Sequence, residues 1–202
     1  MKTIFIGITG GTGAGKSTLC NALKRKYPEK IELIQLDDYF KPLADKPKVG
    51  DIVNSDHPEA LYLSKLADDL VKFARGESVT INTKNEYLNP AFEKTKERIP
   101  FEFHPTPIML VEGFLVLYDE RVRNLLTTSI WLEVNHATRW SRRVHFKNKE
   151  YEEKVLIPMH QQYVEPTKQY AEYIIDVSNL TKEEVLEKVE GILLKVTGQG
   201  IV

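Results

Sequence analysis

The segment Gly10-Gly11-Thr12-Gly13-Ala14-Gly15-Lys16-Ser17-Thr18 constrains the fold more than any other stretch of this chain. It follows the apolar run Ile4–Thr9, whose β-branched residues predict a short buried parallel strand. It runs into a helical pattern from Lys16, with Leu19, Cys20, Leu23 and Tyr27 on one stripe and Pro28 closing the segment. Between strand and helix the spacing fits G-x-x-x-x-G-K-[ST]. Each residue type has a physical reason. Glycines let the backbone wrap closely and turn its N–H groups onto phosphate oxygens. The helix N-terminus adds partial positive charge. Lys16 is placed for the β/γ-phosphates and Ser17 for Mg²⁺. Thr18, the next hydroxyl of the same segment, is suited to local capping or packing. Residues 10–18 therefore predict ATP binding with Mg²⁺. A binding loop does not say what is done with the nucleotide.

The rest of the chain alternates strand and helix. Strands are expected at 31–36, 79–82, 108–111, 130–134 and 173–177. Pro58 suits a first helical position, ahead of Leu63, Leu66, Ala67, Leu70, Val71 and Ala74, and Gly76 ends that helix. Residues 37–57 read as loop, and residues 83–107 as loop with an edge hairpin. Asn135 can cap a helix running to about Phe146. Residues 150–170 are helical in composition but interrupted by Pro158 and Pro166. Thr181 with Glu184 forms a capping box for a last helix carrying Val185, Val189, Ile192, Leu193 and Val196. The expected fold class is α/β: a three-layer P-loop NTPase fold, a parallel sheet with helices on both faces and a small lid. One domain over 1–202 is expected, with the lid at about 139–160. Ligands of such sheets bind beyond the carboxyl ends of the strands.

Acidic residues fall at that edge. Asp37 follows the second strand, where a carboxylate could take a proton from an acceptor hydroxyl or hold Mg²⁺ through water. Asp38 is the weaker candidate. Glu112 ends the apolar strand 108–111 in a Walker-B-like arrangement aimed at Mg²⁺, with a cap or salt-bridge role as the alternative. Arg139, Arg142 and Arg143 stand at i, i+3 and i+4, one basic helix face that Lys147 and Lys149 extend. Such a face is either solvated or a lid whose guanidinium groups close over a transferring phosphoryl group. The histidines show no metal spacing.

Composition removes other classes. A net charge of −1 gives no sign of a nucleic-acid or membrane-surface partner. One cysteine, Cys20, excludes an internal disulfide and fits a reducing compartment. The apolar start is too short for a signal-peptide core, and no run approaches a membrane span. A cytoplasmic location is expected.

These motifs resemble the uridine kinase/phosphoribulokinase group of P-loop kinases, and in part nicotinamide riboside kinases. The likeness covers most of the chain. Gln35-Leu36-Asp37-Asp38-Tyr39-Phe40-Lys41-Pro42 is similar to nicotinamide riboside kinases. Asn54-Ser55-Asp56-His57-Pro58-Glu59-Ala60 resembles the uridine kinase segment Asn-Phe-Asp-His-Pro-Asp-Ala. Val111-Glu112-Gly113-Phe114-Leu115 matches both. Pro166-Thr167-Lys168-Gln169-Tyr170-Ala171-Glu172 is close to the uridine kinase Pro-Thr-Lys-Lys-Tyr-Ala-Asp stretch.

The resemblance implies an ATP- and Mg²⁺-dependent kinase acting on the 5′-hydroxyl of a uridine- or cytidine-like nucleoside. Nicotinamide riboside or another small alcohol is the alternative acceptor. A nucleotide-dependent switch or binding module is the alternative of another class. The resemblance further implies Asp37 as general base, with Lys16 and Arg143 also at the reacting phosphoryl group. It implies Asp56 on the ribose hydroxyls, competing with a helix-cap role. Tyr39, Glu112 and Arg143 fall toward the acceptor, Arg139 and Arg142 toward ATP, and Ser17, Asp37 and Glu112 toward Mg²⁺. The family includes dimers and tetramers, so self-association is compatible with it.

Three departures stand out. The uridine kinase Tyr-Asp-Phe…His…Arg pattern is absent from residues 81–87. The lid is shorter and lacks an Arg-Gly-Arg run. Ser55 stands where an aromatic precedes the ribose aspartate. Phosphate chemistry carries over; base recognition does not.

Overall fold

Apolar residues alternate along the central strands, and each parity feeds a different core. The computed structural model describes residues 3–142 and 148–198, Arg142 by its backbone alone. The strands are β1 (Ile4–Thr9), β2 (Ile31–Gln35), β3 (Lys48–Val49), β4 (Ile52–Val53), β5 (Val79–Thr83), β6 (Ile99–Phe103), β7 (Ile108–Glu112), β8 (Thr128–Glu133) and β9 (Tyr173–Asp176). A parallel sheet has the order β2-β7-β1-β8-β9. Phe5, Ile34, Met109, Val111 and Trp131 point to one face, where they meet Leu66, Leu70 and Phe73 of helix α2 (Leu63–Ala74). Ile6, Ile8, Leu33, Leu110, Ile130 and Leu132 point to the other. There they pack with Leu19, Cys20 and Leu23 of helix α1 (Lys16–Lys26) and Val189, Ile192 and Leu193 of the C-terminal helix Lys182–Thr197. A strand that buries both faces must be apolar throughout, which is why the central runs are. Each such large side chain contributes about 1.5–3 kcal/mol by leaving water.

The expected three-layer architecture is therefore present, and the capping box at Thr181 and Glu184 forms as read. Elsewhere local chemistry moved boundaries. The second strand ends at Gln35, because Leu36–Tyr39 winds into a 3₁₀ turn. Pro58 opens only a 3₁₀ turn, Pro58–Ala60, before the chain extends at Leu61 to bridge Phe40. The loop 37–57 contains the small hairpin β3–β4, turned at Gly50. The hairpin β5–β6 forms, but as its own two-stranded sheet rather than an edge of the main one.

Residues 149–170 are helical without a break. Pro158 sits in the turn Ile157–Met159, between two widened π turns, Glu152–Leu156 and His160–Val164. Those wider registers accommodate the missing proline N–H and its ring, so the helix bends its hydrogen-bond ladder instead of ending. Pro166 is accepted near the start of the tighter segment Glu165–Tyr170. Helix His136–Arg142 begins where expected, with Asn135 Oδ1 accepting the Thr138 N–H at 2.9 Å. Its expected continuation to Phe146 falls largely outside the described residues. No helix among the described residues is long and apolar enough to cross a membrane.

Candidate active site

The strand order determines which loops meet. β7 lies between β2 and β1, and β1 between β7 and β8. The segments leaving β1, β2 and β7 therefore share one stretch of the carboxyl edge, and they carry residues 10–18, Asp37 and Glu112. Register places Glu112 beside Ile8 on one side and Gln35 on the other.

The loop 10–18 wraps as its glycines demand. Gly13 has φ +84°, in the left-handed region, and a Cβ there would overlap the backbone carbonyl of Arg139. A Cβ on Gly11 would overlap the Arg139 guanidinium, so that side chain lies directly on the loop. Lys16 is buried, and its Nζ donates to the Gly11 carbonyl at 3.1 Å. Burial pushes its pKa down, and the nearby Glu112 and Asp37 carboxylates oppose that. Glu112 is buried at the end of β7, and burial pushes its pKa up against the Lys16 cation. Gln35 Nε2 donates to its carboxylate at 3.5 Å, and the neighbouring Ser17 side chain also opposes that rise. Ser17 and Glu112 thus supply adjacent hard oxygen donors beside the phosphate loop. That set suits Mg²⁺, which takes one or two protein oxygens together with substrate phosphates and water. No all-protein cage of three or more His, Cys, Asp or Glu occurs among the described residues.

The paired aspartates separate by environment. Asp38 is an anchor, with its side chain only 2% exposed. It accepts from Arg98 at 3.0 Å, from Thr83 Oγ1 at 2.7 Å and from the Lys84 N–H at 2.9 Å. Burial still pushes its pKa up. Arg98 also donates to the Asp37 carbonyl at 2.7 Å. These bonds fasten the β5–β6 hairpin to the turn after β2. Asp37 is the open partner, 39% exposed, with Lys84 Nζ at 2.7 Å from Oδ2.

Asp37 faces a cleft of 530 Å³ whose walls include Thr12, Phe40, Ile52, Asp56, Phe114 and Tyr151. Asp56 accepts from the Tyr151 hydroxyl at 2.5 Å. It is not the helix cap: His57 Nδ1 accepts the Glu59 N–H and caps the turn that follows. Tyr39 corrects the sequence reading. It was expected at the acceptor but is buried in the core, its hydroxyl donating to Asp69 at 3.1 Å. The 3₁₀ turn rotates Tyr39 inward and leaves the next residue, Phe40, on the cleft.

Helix His136–Arg142 sets Arg139 at the other side of the loop, 6% exposed. A cavity of 170 Å³ there is bounded by Gly11, Glu133, Asn135, His136, Arg139 and His160. Arg142's side chain and Arg143, both assigned to the lid, lie outside the described residues. His160, one of the histidines without metal spacing, also lines this cavity. Burial first, then the Arg139 cation, holds its pKa down at about 4. A depressed histidine pKa stabilises the fold above the unfolded value of about 6.5, and that stability is lost as pH falls through the folded value. We expect wild-type Tm to drop between pH 6.5 and 4 more steeply than that of His160→Gln, by the equivalent of about 2–3 kcal/mol. Parallel Tm-against-pH curves would refute this.

Sequence reasoning did not single out Lys84, Arg98 or Phe114. Lys84 and Arg98 reach Asp37 and Asp38 only because a hairpin closes, and no local pattern signals that. Phe114 directly follows the Glu-Gly pair, so position was its available signal.

The parallel sheet and its glycine loop, with an acid at the end of the neighbouring strand, define a P-loop kinase fold. The sequence matches the Phosphoribulokinase / Uridine kinase family over residues 5–183, and the chain belongs to that family. It is 34% identical over 187 residues to a uridine kinase of Clostridium novyi, covering 87% of this chain and 88% of the relative. It is 31% identical over 212 residues to a uridine kinase of Streptococcus gordonii, covering 95% and 96%. Among solved structures, a possible uridine kinase from Bacillus stearothermophilus superposes with a TM-score of 0.59 at 16% identity, covering 87% of this chain and 90% of that one. Shikimate kinase from Acinetobacter baumannii, in complex with shikimate, gives 0.51 at 14% identity, covering 96% and 94%. At those identities the structures speak for the fold alone.

Proposed function

We propose that this protein is an ATP-dependent kinase that phosphorylates the 5′-hydroxyl of a uridine- or cytidine-like nucleoside. One observation carries the reading: Thr12 of the phosphate loop, Asp37 and Asp56 all line a single cleft. A γ-phosphate on the loop and a hydroxyl at Asp37 would be neighbours, which supplies the proximity that phosphoryl transfer depends on.

The chemistry then runs as follows. Asp56, with Tyr151, binds the ribose hydroxyls and turns the 5′-hydroxyl to Asp37. The Asp37 carboxylate takes the hydroxyl proton as the oxygen attacks the γ-phosphorus. The bond from that phosphorus to the β–γ bridging oxygen breaks, and ADP leaves. Lys16 and the loop N–H groups stabilise the charge that develops on the phosphate oxygens. Arg139, lying on Gly11, braces the loop on the nucleotide side. Mg²⁺ would be held by Ser17 and Glu112, with Asp37 near enough to join through water, and would neutralise phosphate charge when bound. Lys84 positions the Asp37 carboxylate. Arg142 and Arg143 belong to the segment 139–160, which we assign as a lid that excludes water over the reacting groups.

The uridine kinases among its relatives support the same acceptor class. Transfer of label from [γ-³²P]ATP across a nucleoside panel tests it. Labelled uridine or cytidine monophosphate is the expected product, and no labelled nucleoside product at all would overturn the proposal.

A further inference from the structure

Glu112 has a neighbour whose role the phosphoryl transfer leaves open. Gln35 ends β2, and register sets it beside Glu112 on one face of the sheet. Its Nε2 donates to Glu112 Oε2 at 3.5 Å, and its Oε1 accepts from Asn85 Nδ2 at 2.7 Å. Asn85 is buried, in the connection that leaves β5 and brings Thr83 and Lys84 to the paired aspartates. An amide has a donor end and an acceptor end, so its partners decide which way it faces. Here a group that cannot be reversed makes that choice: the Tyr87 backbone N–H donates to Asn85 Oδ1 at 3.0 Å. Asn85 must then turn its NH₂ to Gln35, and Gln35 must turn its NH₂ to Glu112. The donors run one way, from a backbone N–H through two amides to the carboxylate.

We infer that Gln35, turned by Asn85, is a positioning residue for Glu112: it holds one carboxylate oxygen and fixes the orientation in which Glu112 meets Mg²⁺. This rests on the reading of Glu112 as a metal-binding group of the proposed kinase. Glu112 is only 6% exposed, so water has little access to its oxygens. A buried acceptor left without a donor is costly, and carboxylates that bind metals are themselves hydrogen-bonded. The neutrality of the donor matters. Lys16 already sets one cation by Glu112. A second cation would subtract from the charge that Mg²⁺ meets, whereas an amide orients the carboxylate and leaves its charge whole. The bond is long, so its direction counts for more than its strength. An amide oxygen in the same place would repel the carboxylate. The connection after β5 thus sets Asp38 through Thr83, Asp37 through Lys84, and Glu112 through Asn85 and Gln35. Residues 81–87, which depart from the uridine kinase pattern, gain a role on the acids of the site.

The test measures binding of a non-hydrolysable ATP analogue by calorimetry, once with Mg²⁺ and once with EDTA, so no acceptor takes part. The readout is the gain in affinity that Mg²⁺ brings. The proteins are wild type, Gln35→Met, Asn85→Asp, their double variant and Glu112→Gln, each checked for a cooperative melt. Gln35→Met should cut the gain about 10-fold, with affinity in EDTA unchanged. Asn85→Asp keeps the side chain's shape and still accepts the Tyr87 N–H, but it cannot donate. Gln35 then reverses and presents its oxygen to Glu112, so the gain should fall at least as far. In the double variant no amide is left to reverse, and the loss should return to that of Gln35→Met alone. Such non-additivity marks a directed chain. Equal losses with Mg²⁺ and with EDTA, or losses that add in the double variant, would make Gln35 and Asn85 mere docking residues and overturn the inference. So would a full gain in Asn85→Asp, which decides the matter alone if Gln35→Met does not fold. In each of these cases Glu112→Gln still loses the gain, and the metal reading of Glu112 stands. A full gain in Glu112→Gln, or none in wild type, overturns that reading and the inference with it. The nucleoside panel separately decides the acceptor.

Discussion

Asp37→Asn is expected to lower kcat by about 10²–10⁴-fold while KM for ATP stays within a few-fold, because it removes a proton acceptor and little else. Asparagine keeps the shape of the side chain and can still accept a hydrogen bond from Lys84. It cannot take the proton of the attacking hydroxyl. The turn that holds it is fixed by Asp38 and Arg98, so the geometry should survive the change. Single-turnover measurements with saturating ATP separate chemistry from nucleotide binding. Equal losses in turnover and ATP affinity would assign Asp37 to the metal and phosphates instead, and would leave the hydroxyl without a base. Lys84→Met is the companion variant. It leaves the carboxylate in place but frees it to rotate, so a smaller loss in kcat that Lys84→Arg recovers would identify positioning as the role of Lys84.

The contrast between Asp37 and Asp38 shows where sequence reading succeeds and where it stops. Both residues follow the same strand, and the position alone put a carboxylate on the active edge. What distinguishes them is the partner each finds. Thr83, Lys84 and Arg98 arrive on a hairpin whose closing pair, Thr83 with Ile99, joins positions far apart in the chain. Local periodicity carries no information about such a meeting. Tyr39 illustrates the same limit at shorter range. In an extended strand its parity would have been a fair guide, but one 3₁₀ turn moves every later side chain to a different bearing. The phosphate loop was legible because its constraint is local: Gly13 and Gly15 hold positive φ, whatever the rest of the chain does. The central strands were legible because burial on both faces forces a continuous apolar run. The helical stretch 149–170 was misread as broken because two prolines outweighed the pattern, while widened turns on either side of Pro158 kept the backbone helical. Asp56 gained more from the structure than any other residue. Sequence left it divided between ribose and helix cap, and His57 takes the cap.

Lys16→Met should abolish efficient ATP use, lowering kcat/KM for ATP by at least about 10²-fold, since a charged contact made to the transferring phosphate is lost. Methionine fills the space of the lysine stem, so the loop is not left with a void. The variant has a second consequence, visible without substrate. Glu112 is buried, and Lys16 is the largest influence opposing the rise of its pKa. Without that cation the carboxylate is costlier to ionise in the folded state, and its folded pKa rises further. A carboxylate whose folded pKa lies above the unfolded value favours the fold at low pH. That contribution is lost as pH rises through the folded value. The stability of Lys16→Met relative to wild type, both without nucleotide, should therefore worsen from pH 5 to pH 8. Thermal melts of the two proteins across that range measure it. A pH-independent difference would show that Lys16 does not hold the charge of Glu112, and unchanged kcat/KM for ATP would remove Lys16 from the phosphate site. The two readouts are independent, one reporting the lysine's work on phosphate and the other its work on the acid that shares the loop.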